Sequence, residues 1–131
     1  MHVLMTGDAV GGVWHYVIDL AKSLCARGVT VTVAVLGPPP SPDQVRGVEG
    51  FRVVTMDLPL DWTATSRSEV LKAGASLARL ATSIGADIVH LHSPALAAGG
   101  HYKMPVVAVC HSCVATWWHA CLLYTSDAAD E

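Results

Sequence analysis

Charge is scarce in this chain: Asp, Glu, Lys and Arg make up only 15% of its 131 residues, and phenylalanine occurs once. No apolar run approaches the roughly eighteen residues that cross a bilayer, and no basic segment leads into an apolar one at the N-terminus. Neither a membrane span nor an export signal is therefore expected. Cysteine is also sparse. Cys25, Cys110, Cys113 and Cys121 are few and irregularly spaced for a disulfide scaffold, which points to reduced thiols and a cytoplasmic location. A basic stripe is missing too. Of the eleven acids, Asp127, Asp130 and Glu131 fall in the last eleven residues, so residues 1–120 set eight acids against eight bases. An electroneutral body offers no footprint for nucleic acid.

Apolar sequence, by contrast, is abundant at 52%, as in a parallel sheet buried between helices. The length suits one domain with a real core, or one part of something larger, and leaves no room for two lobes. Residues 121–131, "CLLYTSDAADE", break the pattern: they carry neither helical nor strand period and read as the translation of a transposase-type sequencing-library adapter. The expectation is a domain over 1–120 that continued beyond Ala120 in its parent, followed by a non-native tail. The alternative is a genuine short acidic C-terminus.

Along the chain, strand and helix patterns alternate. His2 to Met5 reads as a strand. From Val13, apolar residues recur at Val17, Leu20, Ala21 and Leu24, one face of a helix, and Gly28 fits the left-handed position beyond its end. Val29 to Leu36 is β-branched and continuous, a buried strand. "GPPPSP", Gly37 to Pro42, reads as loop because proline fixes φ and lacks an amide donor. Phe51 to Met56 gives a third strand, and Ser66 with Glu69 forms a capping-box signature ahead of a second helix carrying Ala73, Leu77, Leu80, Ala81 and Ile84 and closed by Gly85. Asp87 to His92 and Val106 to Cys110 are two further short strands, separated by an Ala/Gly segment able to form a turn or two of helix. This alternation specifies an α/β fold with a Rossmann-like parallel sheet, helices on both faces and right-handed crossovers. Ligands of such sheets bind beyond the C-terminal strand ends, which selects the loops at Thr6 to Gly12, after His92, and after His111.

The first of these loops lacks two strong nucleotide motifs. Gly7, Gly11 and Gly12 spell G-x-x-x-G-G rather than G-x-G-x-x-G, and Val13 and Trp14 stand where a P-loop needs Lys and Ser/Thr. Gly11 and Gly12 at a helix start nonetheless allow close backbone approach, and the first-turn amides favour a phosphate. A tight strand-to-helix turn explains them equally well. Asp8 could accept sugar hydroxyls or cap that loop, and the cap is favoured.

His90 and His92 alternate along a strand and so share a face, with Cys110, His111 and Cys113 at the neighbouring strand end. A zinc site would need more ligands in register. Pro94 occupies the carboxylate position of a dinuclear H-x-H-x-D-H pattern, and although Cys110 and Cys113 are spaced as one C-x-x-C, no second C-x-x-C pair accompanies them. No metal and no cofactor are expected, with packed or hydrogen-bonded histidines instead. His111, after a buried strand, could reach a ligand hydroxyl or phosphate or be satisfied by backbone. Trp14, Trp62, Trp117 and Trp118 could stack on a sugar, with core as the commoner role for tryptophan.

Taken in series, "HVLMTGDAVGGVWHYVIDLAKSLCARGVTVTVAVLG", "DIVHLHSPALA" and "PVVAVCHSCVATWW" resemble the N-terminal half of a GT-B fold glycosyltransferase of family 4, across nearly all of residues 1–120. That family faces two Rossmann-like domains across a cleft, the N-terminal one offering the acceptor surface and the C-terminal one gripping a nucleotide sugar. The resemblance implies an incomplete N-terminal lobe, with Gly11 and Gly12 near the donor's diphosphate or transferred sugar and His111 contacting that sugar as the catalytic-site histidine. It implies retaining transfer without a metal, and Asp61, Trp62, His92 and Ser93 as acceptor contacts by position. The partners are then a small-molecule sugar donor, an acceptor and a missing C-terminal donor-binding domain. A stand-alone flavodoxin-like phosphate or nucleotide-binding module is the competing reading, with a metallohydrolase third.

Overall fold

A computed structural model describes residues 1–111 and Ala120. The elements run β1 (His2–Asp8), α1 (Gly12–Ala26), β2 (Thr30–Leu36), α2 (Pro42–Arg46), β3 (Arg52–Thr55), α3 (Arg67–Ser83), β4 (Ile88–Leu91), a 3-10 turn (Pro94–Ala97) and β5 (Val106–Ala108). The five strands form one sheet in the order β3-β2-β1-β4-β5, and every adjacent pair is parallel. This is the doubly wound order in which successive strands step outward from β1 and then cross to its other side. A flavodoxin-like sheet would run 2-1-3-4-5, so that form of the competing module does not fit.

Side-chain alternation along the strands builds a core on each face. Val3 and Met5 of β1 and Val31, Val33 and Val35 of β2 pack with Trp14, Val17, Ile18 and Ala21 of α1. Leu4, Ala34, Leu36, Val89 and Leu91 meet Ala73, Leu77 and Ala81 of α3 on the opposite face. Each fully buried aliphatic chain contributes about 2 kcal/mol, so both helices are held by burial rather than by their short-range propensities. Gly28 and Gly85 adopt φ of +81° and +67° just past α1 and α3, the left-handed exits expected of them. No helix among the described residues is long and apolar enough to cross a membrane.

Three elements depart from the sequence reading. β1 does not stop at Met5: Thr6, Gly7 and Asp8 stay in the ladder opposite Ala34, Val35 and Leu36. Gly7 is an ordinary ladder position, since a Cβ there would make van der Waals contact with Val17 at 3.4 Å. The true loop is therefore Ala9 to Gly11. The proline-rich segment also hides a short helix, α2, whose Pro42 sits in the first turn, where no amide is needed. Ser41 Oγ accepts from Gln44 N and Gln44 Oε1 accepts from Ser41 N, a complete capping box. Finally, β5 is not a buried strand. It is a three-residue edge with Val106 37% and Val107 50% exposed.

Candidate functional site

The order of strands sets the place of the site. Chain connections leave β1 and β4 in opposite directions, so the loops after them part and open a crevice at their C-terminal ends. A cleft of about 360 Å³ lies there. Thr6, Gly7, Asp8 and Val13 form its floor and one side, Leu60, Asp61 and Trp62 another, and His92, Ser93, Cys110 and His111 a third.

His92 is fixed from below. Its backbone N–H donates to Thr6 Oγ1 at 2.8 Å, joining the first residue after β4 to β1 across 86 positions of sequence. Its ring is buried and its Nδ1 lies 2.7 Å from Nε2 of His111, a hydrogen-bond distance. The His92 and His111 rings lie nearly parallel with centroids 5.0 Å apart. His90 shares the face as expected, its ring centroid 4.4 Å from that of His92. Tyr16, from α1, sets its ring at steep angles to both His92 and His111, with centroids 5.5 and 4.7 Å away. Burial, then the neighbouring His90 and His111, pushes the His92 imidazolium down to about 4. Burial followed by His111 lowers His90 as well. Among the described residues, Nε2 of both rings is buried with no hydrogen-bond partner, and the lowered values leave His92 and His90 neutral at physiological pH.

Toward the neighbouring wall, Ser93 Oγ donates to Asp61 Oδ2 at 2.8 Å. Asp61 stands in a bend held by Leu60, whose carbonyl accepts Thr63 N at 3.1 Å and Ala64 N at 2.8 Å. Leu60 is itself buried over Gly37. Any Cβ at Gly37 would meet the Leu60 side chain at 2.9 Å, and φ there is +76°. Trp62, next to Asp61, lines the cleft and is 65% exposed. Asp8 caps its own loop, as read: Oδ1 accepts Val10 N at 3.0 Å. Gln44 of α2 holds that loop from outside by donating to the Ala9 carbonyl at 3.0 Å.

Gly11 and Gly12 fall in the chain between Asp8 and Val13, both of which line the cleft, without lining it themselves. Gly11 caps α1 in extended backbone with no side chain bonding to the first turn, and that turn holds no acid. Both glycines are exposed, and among the described residues a Cβ built on either would meet nothing within 4 Å. Intramolecular packing thus does not require glycine at these positions. An uncovered, uncapped helix start carries partial positive charge.

The structure thus brings His92, Ser93, Asp61, Trp62 and His111 to one cleft and puts Gly11 and Gly12 beside it. Trp14 is core, 4% exposed, while Cys113, Trp117 and Trp118 fall outside the described residues. Among the described residues, no group of three or more His, Cys, Asp or Glu is placed to hold a metal ion. The sequence reading missed Tyr16 and Thr6. Tyr16 occupies an exposed position of α1 and carries no signal of its own, whereas Thr6, in the loop already singled out, was recoverable.

The match to a protein-family description decides the affiliation: Glycosyltransferase Family 4 spans residues 10–130. The chain belongs to glycosyltransferase family 4. Its fold is also similar to a solved glycosyltransferase from Rickettsia africae ESF-5, with a TM-score of 0.58 at 17% identity, covering 94% of this chain and 34% of that one. No curated protein matches the chain. The α/β sheet expected from the resemblance is the one observed, and this family 4 chain spans about a third of the Rickettsia protein's length.

Proposed function

We propose that the chain is the N-terminal, acceptor-side part of a retaining glycosyltransferase that moves a hexose from a nucleotide-sugar donor to an acceptor without a metal ion. One observation carries the reading: an uncapped helix N-terminus bearing two unobstructed glycines stands beside a cleft whose wall holds His111 against a neutral His92. Amides of the first turn of α1 favour the donor's diphosphate, and Gly11 and Gly12 leave it room. The bond from the sugar's anomeric carbon to the diphosphate breaks with its electrons on the leaving oxygen. Oriented donors stabilise that charge. His111 offers a ring nitrogen to the transferred sugar. His92, Ser93, Asp61 and Trp62 face the acceptor.

In this reading the residues that grip the nucleotide belong to a second domain beyond Ala120, residues 121–131 derive from an adapter, and the fragment alone is inactive. The 34% coverage of the Rickettsia glycosyltransferase supports a missing lobe. Sparse, irregular cysteines support action in the cytoplasm.

Sequencing the source DNA past the Ala120 codon tests the proposal. A second α/β domain with acidic donor-binding residues is expected, and its absence overturns the reading. In the restored protein, supplied with a panel of nucleotide sugars, release of nucleoside diphosphate reports transfer. Gly11→Val combined with Gly12→Val is expected to lower kcat/KM by at least about tenfold, the loss of one charge-assisted contact worth ~1.4 kcal/mol. Unchanged turnover would remove the glycine pair from the site.

A further inference from the structure

We infer that the wall built by Asp61 and Trp62 selects an uncharged, polyhydroxylated ring as acceptor, a hexopyranoside or a cyclitol bearing no phosphate. The inference rests on the transferase reading and adds to it the chemical class of the acceptor.

The first observation is the contrast between two tryptophans. Trp14 is 4% exposed in the core, whereas Trp62 stands 65% exposed at the mouth of a cleft. An indole is a broad, rigid apolar plate with one donor at its edge. The C–H face of a pyranose or cyclitol covers such a plate, while the ring's hydroxyls remain at its perimeter.

The second is the carboxylate beside it. An ionised Asp has about four acceptor positions, and the Ser93 hydroxyl takes one on Oδ2. The rest can receive hydroxyls of a ring lying on Trp62. The wall is preorganised, because the bend is locked by Leu60 beneath Gly37 and by the paired amides of Thr63 and Ala64. A ligand therefore spends little on ordering it.

The third is charge. The described residues lining the cleft include the carboxylates of Asp8 and Asp61 and no lysine or arginine, and the buried His92 is neutral. A phosphate on the acceptor would meet like charge from these two carboxylates. The one feature that favours an anion is the start of α1, where neither Gly11 nor Gly12 lines the cleft. Donor and acceptor chemistries are thereby divided between two places.

The test uses the ¹⁵N-labelled chain titrated with methyl glucopyranoside, myo-inositol and glucose 6-phosphate, following the Trp62 indole N–H resonance, assigned with Trp62→Phe. The two neutral rings are expected to shift that resonance at roughly millimolar affinity, with glucose 6-phosphate weaker. Trp62→Ala is expected to weaken the binding of the neutral rings at least tenfold, read from ligand-observed saturation transfer, and Trp62→Phe to retain part of it. Asp61→Asn weakens it as well. Both positions are at the cleft surface, and near-UV circular dichroism verifies that the variants stay folded. Tighter binding of glucose 6-phosphate, indifference to Asp61→Asn, or no shift with any ring overturns the inference. A restored transferase acting on a phosphorylated acceptor would end this inference alone. Donor turnover insensitive to Gly11 and Gly12 would end the wider reading and leave the Trp62 measurement standing.

Discussion

His92 shows how one buried ring couples the site to stability. Its imidazole ordinarily titrates near 6.5 and is pushed to about 4 in the fold, so the unfolded chain binds a proton that the folded chain refuses. The contribution is complete above about pH 6.5 and is lost as pH falls toward 4. His90, shifted in the same direction, adds to it. The expected outcome is a urea midpoint that falls steadily between pH 6.5 and 4, with a flatter profile in His92→Leu. A midpoint independent of pH across that window would show that the rings stay hydrated. Residue roles were only partly legible from sequence. Alternation along Asp87 to His92 put His90 and His92 on one face because strand period is two. The contact between His92 and His111, 19 positions apart, needs knowledge that β5 lies beside β4, which no local pattern contains. Tyr16 was invisible for the same reason.

Among the elements, α3 is the one on which most of the second core leans. Ser66 Oγ accepts Glu69 N at 3.3 Å. The carboxylate of Glu69 reaches one residue further than a capping box requires, accepting Thr65 N at 2.7 Å. Ser66→Ala is expected to cost about 1 kcal/mol in denaturant unfolding. Gly74, mid-helix, is explained by proximity: a Cβ there would run into the carbonyls of Leu96 and Ala98 in and after the 3-10 turn. Tyr102 ties the same junction, its hydroxyl donating to Leu96 O at 2.8 Å with Gly74 O at 3.3 Å, and burial raises that hydroxyl to about 12. Gly74→Ala gains up to about 1 kcal/mol of helix propensity. Crowding of backbone against backbone costs about 1–3 kcal/mol, so a lower melting temperature is expected, and a higher one would refute the close packing. Helices α1 and α3 were legible because their apolar spacing is long and regular. α2 was not, since the four prolines in "GPPPSP" outweighed the Ser41–Gln44 signature that in fact starts it. The end of β1 was misplaced because Gly7 resembles loop punctuation, although it stays in the ladder opposite Val35.

For the whole molecule, a parallel sheet between helices followed from the alternation of periods, but strand order did not. An apolar run shows that a strand is covered on both faces and leaves its lateral neighbours unspecified. The same limit explains why β5, apolar throughout, read as buried. Val106 and Val107 instead expose apolar surface at the sheet's border, a setting that favours association. Val107→Lys is expected to leave the far-UV spectrum unchanged and to reduce concentration-dependent association in sedimentation. Equal association in both proteins would place the contact elsewhere.

The pairing of β1 with β4 also bears on how the molecule comes into being. The strand that opens the chain lies at the sheet's centre, and its second flank is supplied by Ile88, Val89 and His90. During synthesis β1, β2 and β3 can dock as soon as they emerge, leaving the inner edge of β1 bare while the segment from Thr55 to Ile88 is made. The ribosome therefore holds, for seconds at about 5–20 residues per second, a half-sheet with an open apolar seam. The crevice is created only when that seam closes, so a nascent chain has no binding site before its most aggregation-exposed interval is over.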